Sequence, residues 1–408
     1  MRSAVVAVTG LGMLTTAGNS AEATWDVLCQ GRGLARRDPG LTGLPVDISC
    51  RVTGFDADAE LGRLRARRLD PFAQLAIAAG RRAVQDAGLE PNGWPSARVG
   101  VILGVASNSL YTYVQEFIRL GRDRPDLVSP RALPRSTPSM AAAELAIDVG
   151  AHGPSFTVAS ACASGTTAIA VARDLLLAGS CDIVLAGGAE SGCSRMAVTC
   201  FTQMGLLARG TGDPAGACRP FDREREGIVL SEGAAVLVLE RLDHARVRRA
   251  PVRALLRGAG ASCDAHDPVA PHPEGAGAQA AVRAALADAG CSPGDIGHVN
   301  AHGNATRSGD SAEALALLRV FGGSPPAATA SKGVLGHSLG ASGAVEAAVT
   351  VLTLGHQRVP PTANLRHQDA GREIDLVTGT PRPVVLDAAV TLSCGFGGQN
   401  AALVFTTV

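Results

Sequence analysis

Apolar positions along the chain follow two alternating rhythms. Short continuous runs of strand character give way to Ala-rich stretches whose apolar residues recur every three to four positions. Residues 5–10, 99–103, 155–160 and 182–186 read as strands, as do 234–240, 254–260 and 298–301. Residues 70–87 carry a helical stripe that stops at Gly88, and 163–178 stop in the same way at Gly179. Helices are also expected at 274–289, 310–321 and 341–354, and a closing hairpin at 390–394 with 401–405. Strands alternating with helices predict an α/β fold with mixed sheets. The Pro-, Gly- and Arg-rich stretch around 242–252 is the expected boundary between two halves, 1–250 and 251–408.

Composition narrows the picture. With 46% hydrophobic and 18% charged residues, the 408-residue chain has material for a large core. Aromatics are only 3%, so that core must be built from Ala, Val, Leu and Ile. The formal net charge of zero gives no footprint for a nucleic-acid surface. The longest apolar stretch, 166–179, is cut by Arg173 and Asp174, and no membrane span is expected. The start, MRSAVVAVTGLGMLTTAGNSA, imitates a signal peptide but reads as a first strand and a glycine turn. Ten cysteines contain no CxxC pair, which argues against a zinc or thioredoxin-like site. They are expected to be reduced small hydrophobes in a cytoplasmic protein. Of 37 basic residues only Lys332 is lysine, which marks a place where arginine will not serve.

Four constellations carry candidate chemistry. In Val158-Ala-Ser-Ala-Cys162-Ala-Ser-Gly165 a strand runs straight into a helix, with small residues on both sides of Cys162. A sulfur at a helix N-terminus is expected to favour the thiolate. Val299-Asn-Ala-His302-Gly303 presents a histidine at a strand end, and Ser331-Lys332-Gly-Val-Leu-Gly336-His337 presents a second beside the lone lysine. Ser393-Cys394-Gly395-Phe396-Gly397-Gly398 is a turn whose N–H groups are suited to an oxyanion. A cysteine and two histidines, each at a strand end beside small residues, point to one site.

These segments, with the opening VAVTGLGMLTTAGNSAEATWDVL, LAGGAES (185–191), CRPFDREREGIVLSEGAA (218–235), SKGVLGHSLGASGAVE and CGFGGQNAALVF, resemble the β-ketoacyl-[acyl-carrier-protein] synthases of type II fatty-acid and polyketide synthesis. The resemblance covers nearly the whole chain and implies a thiolase-type duplicated αβαβα five-layer sandwich, normally a dimer. By the same resemblance Cys162 is the acyl-accepting nucleophile, and His302 and His337 assist decarboxylation of a malonyl thioester. Lys332 resembles a lysine that supports the second histidine through Glu313. The N–H groups of Cys162 and Phe396 resemble an oxyanion hole, and Phe396 an aromatic gate. Thr306 and Asn304 fall at the phosphopantetheine, and Ser107 and Asn108 at the acyl pocket. The expected partners are an acyl carrier protein and a second subunit, either a copy of this chain or a chain-length-factor-like one. No metal and no cofactor are expected.

Departures from the family pattern bear on substrate. HGTxT has become His302-Gly-Asn304-Ala-Thr306, and SFGFGGTN carries Cys394 and Gln399. Ser107 stands where a bulky aliphatic often shapes the acyl cavity, and 129–134 lacks the aromatics common at the dimer interface. These changes imply a widened or more polar pocket, which favours type II polyketide or specialised fatty-acyl synthesis over the alternative, a housekeeping fatty-acid elongation synthase. Three further readings exist. Cys394-Gly resembles the second cysteine of thiolases, which lack the two histidine motifs. A non-catalytic chain-length factor would have lost Cys162. A ketosynthase-fold acyltransferase would release no carbon dioxide.

Overall fold

The computed structural model describes residues 5–107, 109–323 and 325–408. Ten strands form the main sheet: β1 (Val6–Leu14), β2 (Val99–Gly104), β3 (Ser155–Val158), β4 (Ile183–Ser191), β5 (Glu232–Arg241), β6 (Ala254–Cys263), β7 (His298–Asn300), β8 (Ala327–Thr329), β9 (Ala388–Gly395) and β10 (Gln399–Thr406). Their order is β8-β7-β9-β10-β6-β1-β5-β4-β2-β3. Counted within its own half, each set of five lies in the order third, second, fourth, fifth, first. The pairings repeat as well. β2 is parallel to β3 and β4, and β7 is parallel to β8 and β9. β4–β5–β1 and β9–β10–β6 are antiparallel. The halves meet where Val6–Val8 pairs antiparallel with residues 254–256. This is the duplicated mixed sandwich that the resemblance implies.

Two helices, α3 (Ser164–Leu177) and α6 (Ser342–His356), pack on each other and on the strands of both halves. Every residue of α6 from Ser342 to Leu354 is buried, so its apolar pattern runs all round the helix. The outer layers are α1 (Pro71–Asp86) with α2 (Met140–Val149) on one side and α4 (Ala276–Ala289) with α5 (Arg307–Phe321) on the other.

The glycines explain how the outer layers come so close. A Cβ on Gly10 or Gly12 of β1 would lie 2.3 or 1.9 Å from the carbonyls of Ala83 and Ala79 in α1. A Cβ on Gly258 or Gly260 of β6 would lie 2.3 or 2.2 Å from the carbonyls of Ala285 and Ala281 in α4. The same Gly-x-Gly device against a small-residue helix occurs in each half, as expected of an Ala-rich core short of aromatics.

The expected strands and long helices are all present. The helices at Ala21–Gln30, Thr112–Gly121, Met140–Val149 and Arg195–Gln203 were not anticipated. The first has a clear local cause: Ser20 caps it by accepting from Ala23 N, and Gly31 ends it at φ 63°. Among the described residues no helix is long and apolar enough to cross a membrane. Strand β3 is the outermost of its half, and its Phe156 is 40% exposed.

Candidate active site

Cys162 sits in the tight connection between β3 and α3. Ala161, just before it, adopts φ 49°, a left-handed conformation costly for a residue with a side chain. Ser164 holds the turn: its Oγ accepts from Ser160 N at 2.9 Å and donates to the Ala161 carbonyl at 2.6 Å. The sulfur is thereby placed beside the turn after β9, next to the Phe396 N–H. Burial pushes the Cys162 thiol up to about 12, outweighing Lys332 and the Phe396 N–H. The thiolate expected from the helix N-terminus is therefore not the resting state. Desolvation of a 7% exposed residue favours the uncharged thiol.

The histidines arrive from the other half of the chain. His302 follows β7, on a loop gripped by carboxylates of α5. Glu313 accepts from His302 N at 2.6 Å and from Gly303 N at 2.8 Å. Asp310 accepts from Ala305 N at 3.0 Å and from Phe221 N at 2.6 Å. The two bonds to Asp310 hold Ala305 and Phe221 at φ 65° and 62°. Burial pushes Glu313 to about 8 and Asp310 to about 6, against the pull of those donors. His337 sits after Gly336, whose φ of 72° and contact with Cys50 leave no room for a side chain. Its backbone is tied by its N–H to the Val229 carbonyl and by its carbonyl to Ser231 N.

The two imidazoles lie edge to face with centroids 5.4 Å apart. Both are pushed well below the ordinary histidine value, first by burial and then by the charge on Lys332. Lys332 is 2% exposed. Its Nζ pairs with Glu346, donates to the His302 carbonyl at 2.5 Å and lies 3.3 Å from His302 Nδ1. Three N–H donors thus meet three acceptors. The expected route from Lys332 through Glu313 to the second histidine is corrected here. Both Glu313 oxygens are taken by backbone N–H groups, the lysine's carboxylate is Glu346 of α6, and the ring it meets is His302. Nδ1 of His337 meets Ser342 Oγ instead, at 2.8 Å.

With Nδ1 engaged on both rings, His302 Nε2 and His337 Nε2 are buried and have no protein partner. They open on one cavity of about 140 Å³ shared with Cys162, Phe396 and Cys394. Phe396 stacks on Phe201 with centroids 5.8 Å apart. Asn304, Thr306 and Ser308 line one wall, and Val269, Ala270 and Pro271 another. Thr306 is partly committed: its Oγ1 accepts from Gly309 N to cap α5 and donates to Asn304 Oδ1 at 2.8 Å.

Not every expected residue joins this site. Ser107 is absent from the lining of the Cys162 cavity. Its hydroxyl donates to buried Glu190 at 3.1 Å, so it presents no polar group to that space. Asn108 lies outside the described residues. The sequence reading missed Glu346, the one charged residue in 342–355, as the partner of Lys332. That isolation inside an apolar run was the available signal.

Comparison with known proteins identifies the family. Residues 3–245 match the model of the β-ketoacyl synthase N-terminal domain, and residues 253–366 that of the C-terminal domain. A 3-oxoacyl-[acyl-carrier-protein] synthase 2 of Vibrio cholerae is 37% identical over 406 residues, 98% of each chain. The Mycobacterium bovis protein of the same name is 38% identical over 98% of this chain and 96% of its own. Among solved structures, the ishigamide ketosynthase/chain length factor superposes with a TM-score of 0.93 at 31% identity, covering all of both chains. A type II PKS ketosynthase solved with its acyl-carrier protein superposes at 0.92 with 26% identity, again over all of both chains. The duplicated sandwich, the cysteine facing two histidines and these full-length likenesses place the chain in the β-ketoacyl synthase family, as an acyltransferase-class condensing enzyme.

Proposed function

We propose that the chain performs a decarboxylative Claisen condensation, extending an acyl group held on Cys162 by two carbons from a malonyl-acyl carrier protein. The observation that carries this reading is the pair of unpartnered Nε2 atoms, of His302 and His337, in the same cavity as the Cys162 sulfur. In the first step Sγ attacks the carrier-bound thioester. The new S–C bond forms, the carrier's S–C bond breaks, and the cysteine proton leaves on the carrier thiol. This balance suits a nucleophile whose resting form is the thiol.

The malonyl thioester then places its carbonyl oxygen at the two Nε2–H groups. The bond to the carboxylate breaks, carbon dioxide leaves, and the electron pair remains as an enolate held by those donors. Its carbon attacks the Cys162 thioester while the Phe396 and Cys162 N–H groups take the oxyanion. The C–S bond to Cys162 breaks, the β-ketoacyl carrier departs, and the thiolate left behind takes a proton from water to restore the thiol. Asn304 and Thr306 face the carrier's pantetheine along the polar wall, and Phe396 gates the sulfur. The steps as written call on no metal or redox cofactor.

His302→Ala is expected to load acyl groups normally while malonyl-carrier decarboxylation falls by about 10²-fold or more. Unchanged carbon dioxide release would remove His302 from the step and favour an acyltransferase without decarboxylation. Because both histidines are held neutral below their ordinary value, the acid limb of the decarboxylation profile should lie below the ordinary histidine pKa. A limb at or above that value, measured as carbon dioxide release against pH, would contradict their assigned state.

The departures at Asn304, Cys394 and Gln399 support a type II polyketide or specialised fatty-acyl substrate. The 37% and 38% identity to 3-oxoacyl-[acyl-carrier-protein] synthase 2 proteins favours a second reading, housekeeping elongation. Intact-protein mass spectrometry after incubation with a panel of acyl carriers separates the two by the chain found on Cys162. A second subunit, a copy or a chain-length-factor-like chain, is proposed to cover the open edge of β3 and exposed Phe156.

A further inference from the structure

Helix α6 begins directly after the His337 turn. Its first residue, Ser342, is 3% exposed, and Glu346 lies one helical turn further on. The i, i+4 spacing puts both on one face of the helix. That face reaches His337 directly and His302 through Lys332. Glu346 holds Lys332, whose Nζ sits 3.3 Å from His302 Nδ1. Ser342 Oγ lies 2.8 Å from His337 Nδ1.

The direction of the second contact follows from counting protons. Ser338 Oγ lies 3.4 Å from Ser342 Oγ, and among the described residues these hydroxyls meet no other side-chain or backbone acceptor. If Ser338 donates to Ser342 and Ser342 donates to Nδ1, both hydroxyl protons are used and each bond strengthens the next. If Nδ1 carried the proton, Ser342 would turn its hydrogen on Ser338, and the 7% exposed Ser338 hydroxyl would be left without an acceptor. The first arrangement leaves the ring proton on Nε2, facing the cavity.

We propose that Ser342 is a positioning residue that fixes the Nε2–H tautomer of His337, so that one helix face, Ser342 with Glu346, sets the proton on both histidines of the site. His302 receives its Nδ1 donor from a buried cation and His337 from a hydroxyl chain. The two donors that face the substrate are thereby held in the same tautomer by different chemistry. The inference rests on the proposed decarboxylation, and the test separates the two.

Wild type, Ser342→Ala and Ser338→Ala are labelled with ¹⁵N-histidine. His337 is assigned by difference from His337→Ala, and the tautomer is read from which ring nitrogen is protonated. Malonyl-carrier decarboxylation and acyl loading of Cys162 are measured in parallel. In Ser342→Ala, His337 is expected to lose its uniform Nε2–H signal and decarboxylation to fall about tenfold or more, with loading unchanged. Ser338→Ala should keep the tautomer, because Ser342 still donates. An unchanged His337 signal with unchanged decarboxylation in Ser342→Ala overturns the inference. Loss of loading together with decarboxylation also overturns it, since Ser342 would then be structural alone. A wild-type enzyme that loads but releases no carbon dioxide refutes the proposed function instead.

Discussion

Cys162→Ala is expected to carry no acyl group after incubation with any acyl carrier, and condensation should fall by a factor of about 10⁴ or more. Intact mass measures the first and product formation the second. The site offers no substitute nucleophile. Cys394 opens on the same cavity, but burial and the neighbouring Glu313 push its thiol well above the ordinary value. Carbon dioxide release from malonyl carrier should survive in this variant, because neither Nε2 depends on the sulfur for its proton. An adduct that persists on Cys162→Ala would move the nucleophile elsewhere, with Cys394 the first place to look.

The second large effect is expected at Lys332. Replacing it by alanine leaves Glu346, 1% exposed, without its cation and His302 Nδ1 without its donor. Breaking such a buried pair costs about 3–5 kcal/mol. The unfolding midpoint should drop accordingly, and decarboxylation should fall by about 10²-fold or more. Lys332→Arg should fail as well. The ammonium meets three acceptors with three N–H groups, whereas a guanidinium brings five donors in a rigid plane to the same closed space. The double variant Lys332→Ala with Glu346→Ala isolates the two effects. It should recover stability relative to Lys332→Ala, since no lone charge stays buried, without recovering decarboxylation. Wild-type activity in Lys332→Arg would show that the lysine is not needed as a point charge.

The substitution also explains the chain's composition. Surface sites accept arginine throughout, as in the pairs of Arg81 with Asp148 and Arg98 with Asp182. Arg225 is buried almost as fully, at 3% exposed, so what singles out Lys332 is its three convergent acceptors, which match a compact three-donor cation.

Much of the site was legible because its parts are local. The strand-to-helix junction at Cys162, the histidines beside Gly303 and Gly336, and the turn at Phe396 each announce themselves within a few residues. Ala161 and Gly336 show why: their left-handed backbone is a property of the segment itself. The repeated Gly-x-Gly of β1 and β6 is equally local, though its meaning as a duplication needed the shared strand order.

What the sequence by itself determined is the family, the alternation of elements and the identity of the reacting side chains. Periodicity, turn residues and motif order are written in neighbouring positions. The tertiary structure alone decided the partnerships and the protonation states. Lys332 chose Glu346 over Glu313, Ser107 turned to Glu190 and away from the Cys162 cavity, and burial kept the Cys162 sulfur as a thiol despite its helix end. Each of these outcomes is a competition between groups far apart in the chain, settled by who is nearest and how little water remains. Neither distance nor desolvation has a signature along a sequence.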